Sequence, residues 1–354
     1  MSDHRRFAVR ELWAALAAGA VLLAGCSSAT EAPASPAATS SAPVERTSYP
    51  YTLTQPDGTT VSIPKAPSRI VVIDQPGITL DYPMALGVVP IGGELNTAES
   101  GFAAGELDPR GITIWNADKI KDFTSIGVPF KPDLDKLAAL KPDLIVGYGG
   151  AGTDKLAQLE AIAPVFSIPS GTAPADSVQG IARLSWYTPV AELAKVLDRQ
   201  AEFTAFVATF EAAAAAARSK LQGKSVSYVV PYTDLSGLQV HGAKYYGGVT
   251  LSYLGLTVAP IPPGGQIYKD SNNDGEALSI EHAGDIKGDW LVMATFGPGV
   301  SAKFLDLPLV KQLPSVKAGH VVDTSTNTPF YGFPSVGPIG QLLAIPKLAT
   351  ALGG

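Results

Sequence analysis

Cysteine occurs once in these 354 residues, at Cys26. A lone thiol closes no internal disulfide, so the folded part must be held by core packing even in an oxidising compartment. Histidine is also scarce. Beyond His4 there are only His241, His282 and His320, far apart in the chain. Bare zinc or manganese calls for clustered His and carboxylate ligands, so no directly bound metal is expected. No nucleophile–histidine–acid arrangement can be read from so few histidines, and no catalytic residue is assigned. Charged residues make up 16% of the chain, the net charge is −6, and Lys and Arg form no cluster. That balance argues against nucleic acid as a partner. Past the N-terminal segment, no apolar run reaches the ~20 residues needed to span a bilayer.

What is present begins with Arg5, Arg6 and Arg10, followed by the uncharged run Leu12 to Ala24 and then Cys26. A basic start, a short apolar core and small residues at a cleavage point are the parts of a secretory signal. The run is too short to cross a bilayer. A cysteine directly after Leu23-Ala24-Gly25 resembles the bacterial lipobox, in which the signal is cut before the cysteine and the thiol receives a diacylglycerol. The expectations are a signal peptide over 1–25, lipidation at Cys26 and a position on the outer face of the cytoplasmic membrane. Residues 27–48 are mostly Ala, Ser, Thr and Pro. Such a segment buries too little apolar surface to offset its ordering entropy, so 26–48 reads as a flexible tether.

The rest of the chain repeats itself. Asp133-Leu-Asp-Lys-Leu-Ala-Ala-Leu-Lys-Pro-Asp-Leu-Ile-Val lies over Ser279-Ile-Glu-His-Ala-Gly-Asp-Ile-Lys-Gly-Asp-Trp-Leu-Val at one constant offset. Asp135 meets Glu281, Asp143 meets Asp289 and Val146 meets Val292. Each copy reads as a short amphipathic helix, a break and a buried strand. Three further landmarks recur in order. Arg69 to Asp74 matches Val226 to Pro231, Ala85 to Pro90 matches Tyr253 to Val258, and Pro164 to Ile168 matches Gly319 to Asp323. Apolar strands alternating with helices imply parallel sheets covered on both faces. Between the halves, Pro189 to Gln222 has helical spacing and the alanine run Ala212 to Ala217, with Gly223 as a stop. The expected organisation is α/β: an N-terminal lobe over 49–187, one connecting helix over 188–223 of roughly 45 Å, and a C-terminal lobe over 224–354.

Together the lipobox, the tether, Arg69-Ile-Val-Val, Ala85-Leu-Gly-Val, Leu137-Ala-Ala-Leu-Lys-Pro-Asp-Leu-Ile-Val and the connecting helix form one pattern. It is similar to the substrate-binding lipoproteins of ABC importers for iron–siderophores, haem and cobalamin, the helical-backbone class. The resemblance runs from about Tyr51 to the C-terminus. It implies two Rossmann-like lobes with parallel sheets joined by a single long α-helix, a ligand in the shallow cleft between them, little closure and a monomeric carrier rather than an enzyme. It also implies one acidic residue on each lobe that docks onto arginines of the membrane permease. Those positions map onto Asp135 and Glu281. The family usually has glutamate at both, so the shorter Asp135 is a departure, and Asp133 is a nearby substitute.

In open α/β sheets, ligands sit outside the carboxyl ends of the strands. That rule nominates Gln75, Tyr148 and Trp186 in the first half, and Tyr232 and Phe296 in the second. The loop aromatics Tyr245, Tyr246, Phe330 and Tyr331 add surface suited to a large flat chelate, and Arg183 offers positive charge. No resident cofactor is expected; the cargo would be a ferric siderophore. Haem, with His241 or a tyrosine as axial ligand, and cobalamin are the alternatives. A rival class rests on Gly147-Tyr-Gly-Gly-Ala-Gly152, which formally matches a dinucleotide-binding loop after a strand. The ribose-binding acid that such a loop needs about 20 residues on is missing at Pro169-Ser170.

Overall fold

The computed structural model describes residues 46–55, 58–96, 112–148, 155–169, 179–263, 266–267, 275–295, 299–324 and 337–353. The chain divides after Pro43 into two units, and all of these residues belong to the second. Cys26, the signal peptide and most of the tether lie outside them.

A short hairpin, β1 (Tyr51–Thr54) and β2 (Thr60–Ile63), precedes the first α/β region. That region runs β3 (Ile70–Val72), α1 (Pro76–Thr79), α2 (Asp81–Ala85), β4 (Gly92–Gly93), α3 (Ile114–Ala117), β5 (Thr124–Ser125), β6 (Gly127–Val128), β7 (Lys131–Pro132), α4 (Leu134–Ala139), β8 (Leu144–Tyr148), α5 (Leu156–Glu160) and β9 (Val165–Ile168). A 3-10 turn at Gly180–Arg183 leads into α6 (Tyr187–Leu197) and α7 (Gln200–Leu221). The second region holds β10 (Ser225–Pro231), β11 (Gly237–His241), α8 (Tyr246–Tyr253), β12 (Thr257–Val258), β13 (Gln266–Ile267), β14 (Gly275–Ser279) and a 3-10 turn at Ile280–Asp285. It continues with β15 (Trp290–Met293), α9 (Val300–Asp306), α10 (Pro308–Lys311), α11 (Pro314–Lys317), β16 (Val321–Asp323) and α12 (Pro338–Gly353).

The first sheet has the order β5-β4-β3-β8-β9 and is parallel throughout. The second is parallel where β10 meets β12 and β15 and where β15 meets β16. On the other flank β11, β14 and β13 extend it antiparallel. Parallel strands covered on both faces read as near-continuous apolar runs, as at Ile70-Val-Val-Ile73 and, with only Ser227 interrupting, at Val226 to Val230. Their alternate residues enter different cores. Val71, Ile73, Ile145 and Val165 pack with Leu137 and Leu159 of α4 and α5. Ile70, Val72, Leu144 and Val146 face the opposite way and share one core with α6, α7, α12 and Val226, Tyr228 and Val292 of the second sheet. Both sheets therefore rest on one continuous apolar layer.

The repeat acquires a structural reason. Asp143, at the foot of β8, accepts hydrogen bonds from the backbone N–H groups of Arg69 (2.7 Å) and Ser68 (3.0 Å) beside β3. Asp289, at the foot of β15, accepts from the Ser225 hydroxyl (2.5 Å) beside β10. The matched aspartates start matched strands.

The expected single helix over 188–223 is two helices. Asp198 closes α6 in a left-handed conformation (φ 55°, ψ 49°), and α7 restarts after Arg199. Aspartate tolerates that conformation, and here its carboxylate is held by Arg46 (2.8 Å) and the Thr47 N–H (3.0 Å). The apolar spacing continues across the break, so sequence alone does not reveal it. The connecting rod is α7 alone, about 33 Å long at 1.5 Å per residue. It buries Phe210, Ala214, Ala217 and Leu221, a stripe at helical spacing.

Helix α12 packs along α7 and is fixed at three points. At its N-terminus the Asp81 carboxylate, from α2, accepts from the Gly340 N–H (2.8 Å). The same carboxylate accepts from Trp115 Nε1 (2.9 Å) and Asn116 Nδ2 (2.7 Å) of α3. Gly337 leaves it room, since a Cβ there would stand 2.7 Å from Asp81 Oδ2. Farther along, Gln341 Oε1 accepts from the buried Trp186 Nε1 (3.1 Å). At the C-terminus the Lys224 ammonium donates to the Leu352 carbonyl (2.5 Å). An acid at the helix start and a cation at its end both complement the helix dipole.

Burial pushes the Asp81 carboxyl up to about 6, against the opposing pull of its hydrogen bonds from Gly340, Trp115 and Asn116. A raised folded-state value means the group favours folding most at low pH, and that contribution is lost as pH rises through about 6. The stability gap between wild type and Asp81→Asn should therefore move against wild type between pH 4 and pH 7 in thermal unfolding; a constant gap would contradict the assignment. Asp81→Leu, which deprives buried donors of their acceptor, should cost on the order of 3 kcal/mol.

Candidate functional site

The carboxyl ends of the parallel strands define the candidate surface. On the first sheet, β3 runs out at Asp74 and Gln75 and β4 at Glu94. The close approach of β4 demands glycine, since a Cβ on Gly93 would stand 2.3 Å from the Val72 carbonyl. Glu94 is fully buried and Asp74 nearly so. Glu94 Oε2 accepts from the Asp74 N–H (2.5 Å) and from the Phe130 N–H (3.2 Å) at the tip of the β6–β7 hairpin. One carboxylate thus ties three edge loops together. Burial, with the neighbouring Asp74 charge, pushes the Glu94 carboxyl up to about 7.

The nominated residues divide sharply. Gln75 is half-buried and precedes α1 at the β3 carboxyl end. Tyr148 ends β8 at the same edge; its side chain lies outside the described set. Tyr232 follows β10 and is half-buried, its N–H bonded to the Gly237 carbonyl (2.9 Å). Tyr245 is half-buried just before α8, and Arg183 is half-buried at the end of its 3-10 turn. Tyr246 opens α8 with its side chain outside the described set. Phe296, Phe330 and Tyr331, and most of the glycine-rich stretch 147–152, lie outside the described residues altogether.

Two nominees are interior. Trp186 is fully buried, with Phe206 and Phe210 of α7 at ring distances of 5.4 and 4.9 Å. It belongs to the core beneath α12, where its Nε1 bonds Gln341. His241 is 3% exposed and packed between Tyr228 (4.5 Å) and Tyr245 (4.0 Å). Its strand, β11, runs antiparallel to β10 and sets His241 opposite Tyr228 in mid-strand, away from the carboxyl edge. Burial pushes the imidazole down to about 3, which keeps it neutral.

Asp135 and Glu281 behave alike. Both are exposed, and both sit in the first turn of the helical segment that precedes the matched strand. Asp133 has a different role: its carboxylate caps α4 by accepting from the Lys136 N–H (3.1 Å), and that bond holds its carboxyl below the usual range. The solvent-facing acid of α4 is therefore Asp135. Among the described residues no group of three or more His, Cys, Asp or Glu could hold a metal ion, and no helix is long and apolar enough to cross a membrane.

Glu94 and Phe130 escaped the sequence reading. The signal that would have found them is the Gly92-Gly93 pair, a two-residue strand whose carboxyl end is Glu94.

Comparison with known proteins fits this geometry. The chain is 26% identical over 209 residues to the Fe(3+)-citrate-binding protein YfmC of Bacillus subtilis (strain 168), covering 58% of this chain and 61% of that protein. It is 24% identical over 272 residues to the Fe(3+) dicitrate-binding periplasmic protein FecB of Escherichia coli (strain K12), covering 76% and 80%. The match thus spans about three-fifths of the Bacillus relative and four-fifths of the Escherichia one. Among solved structures, Staphylococcus aureus SirA complexed with staphyloferrin B superposes with a TM-score of 0.65 at 19% identity, over 85% of this chain and 98% of that one. The petrobactin-binding protein YclQ from Bacillus subtilis gives 0.64 at 19% identity, over 86% and 99%. These two likenesses speak to the fold. The periplasmic binding protein family model matches residues 105–328, more than half of the sequence, and the chain belongs to that family of carriers.

Proposed function

We propose that this protein is the extracytoplasmic receptor of an ABC importer, capturing a ferric siderophore between the carboxyl edges of its two sheets and delivering it to the permease. The observation that carries the reading is that relatives within the family are named for ferric chelates, one of them matched over four-fifths of its length. The geometry supports it. Each sheet turns its carboxyl end toward loops that carry half-buried polar or aromatic groups, Gln75 on one and Tyr232 on the other. Such a mixture suits a bulky chelate, with aromatic area for affinity and a few polar groups for orientation. Arg183 supplies positive charge. Burial withdraws His241 from haem ligation, so a haem reading would rest on a tyrosine ligand alone.

Asp135 and Glu281 form the docking pair in this proposal. They occupy equivalent places on equivalent helical turns, one per region, and both reach solvent. Cys26 carries the lipid that holds the receptor at the outer face of the membrane, and 49–187 and 224–354 act as the two lobes, joined through α7.

Titrating the purified full chain with ferric dicitrate, ferric catecholate and hydroxamate siderophores, haem and cobalamin, while following tryptophan emission, should give saturable quenching by a ferric chelate; a response to haem or cobalamin alone would contradict the assignment. Glu281→Arg and Asp135→Arg should leave chelate affinity unchanged and cut cellular iron uptake by about tenfold each. Parallel loss of affinity and uptake would remove the docking role. Cys26→Ala should abolish incorporation of labelled lipid and release the protein from membranes; unchanged labelling would refute the anchor.

A further inference from the structure

Phe130 is the most exposed large hydrophobic residue among the described residues, at 58%. It is the second residue of the two-residue turn Pro129-Phe130 that joins β6 to β7, and its φ is 63°. A positive φ at that turn position favours Gly or Asn, and a bulky side chain there is strained. The chain thus tolerates strain to hold a ring that gains little from burial. Residues kept in such conformations by their surroundings gather at functional sites.

The surroundings are specific. The Phe130 N–H donates to the buried Glu94 carboxylate, which also accepts from Asp74. The hairpin tip is thereby tied to the carboxyl ends of β3 and β4, the edge where an open α/β sheet meets its ligand. Val89, another exposed apolar residue, precedes β4 and so lies at the opposite, amino edge of the same sheet.

We propose that Phe130 is a ligand-contacting residue whose exposed ring, held at the carboxyl edge of the first sheet by Glu94, packs against the bound ferric chelate. This rests on the chelate-capture reading above. An aromatic face adds contact area and a preferred stacking geometry without adding charge, so it contributes affinity for chelates with flat or apolar surface.

The test uses the full chain and whichever of ferric dicitrate, a ferric catecholate or a ferric hydroxamate wild type binds most tightly. Phe130→Gly should weaken Kd by about tenfold while its Tm holds or rises, because glycine suits a positive φ. Phe130→Tyr should restore Kd to within about twofold of wild type. Val89→Ala should change neither. If Phe130→Gly binds as tightly as wild type, or if its Tm falls along with its affinity, the ring is not a ligand contact. If wild type itself binds none of the ferric chelates, the capture reading fails and this inference falls with it.

Discussion

The two sheets depend on α12 being held where it is. Its start is fixed by the Asp81 carboxylate, its flank by the Trp186–Gln341 bond and its end by Lys224. Asp81 comes from the first region and Lys224 from the start of the second, so one C-terminal helix joins both. Each contact is modest alone. Their shared burial is what gives them weight, because a polar group removed from water must keep its partner. With α12 in place, α6, α7 and the inner faces of both sheets close over a single apolar layer. A shared core of that kind resists large hinge motion between the sheets, since separating them would expose its apolar surface. In the proposed receptor, recognition falls to the edge loops and to small adjustments around a stiff frame.

The edge loops have their own organiser. Glu94 is buried at the end of the two-residue strand β4 and gathers the β3 exit and the β6–β7 hairpin. Its raised pKa marks the strain of keeping a carboxyl there, beside Asp74 and out of water. Frame and edge thus share one device, a buried carboxylate that gathers donors from separate elements, used once between regions and once at the carboxyl edge of the first sheet.

Much of this was legible from the residues. The constant offset between Asp133 to Val146 and Ser279 to Val292 anticipated two similar regions. The structure explains it through Asp143 and Asp289, which both begin a central parallel strand. The uniform apolar runs at Ile70 and Val226 announced strands buried on both faces. What failed had local causes. Asp198 breaks the long helix through a backbone conformation that leaves the apolar spacing unchanged. The hairpin into β11 sets His241 against mid-strand Tyr228, where burial withdraws it from the haem-ligand role offered for it. Trp186 was nominated by its place before a helix, yet a tryptophan there serves equally well as a core anchor. Glu94 and Phe130 were missed because β4 is only two glycines long and carries no apolar pattern, so its one signal, the Gly92-Gly93 pair, does not read as a strand by periodicity.

In the proposed receptor one ligand touches the carboxyl edges of both sheets at once. Hydrogen exchange of the backbone amides, with and without a saturating ferric chelate, reads that contact residue by residue. New protection is expected at residues 73–75, 94–96 and 130 on the first sheet together with 232 and 294–295 on the second, and none at the amino edges near 88–89. Protection confined to one sheet, or appearing at the amino edges, would contradict it.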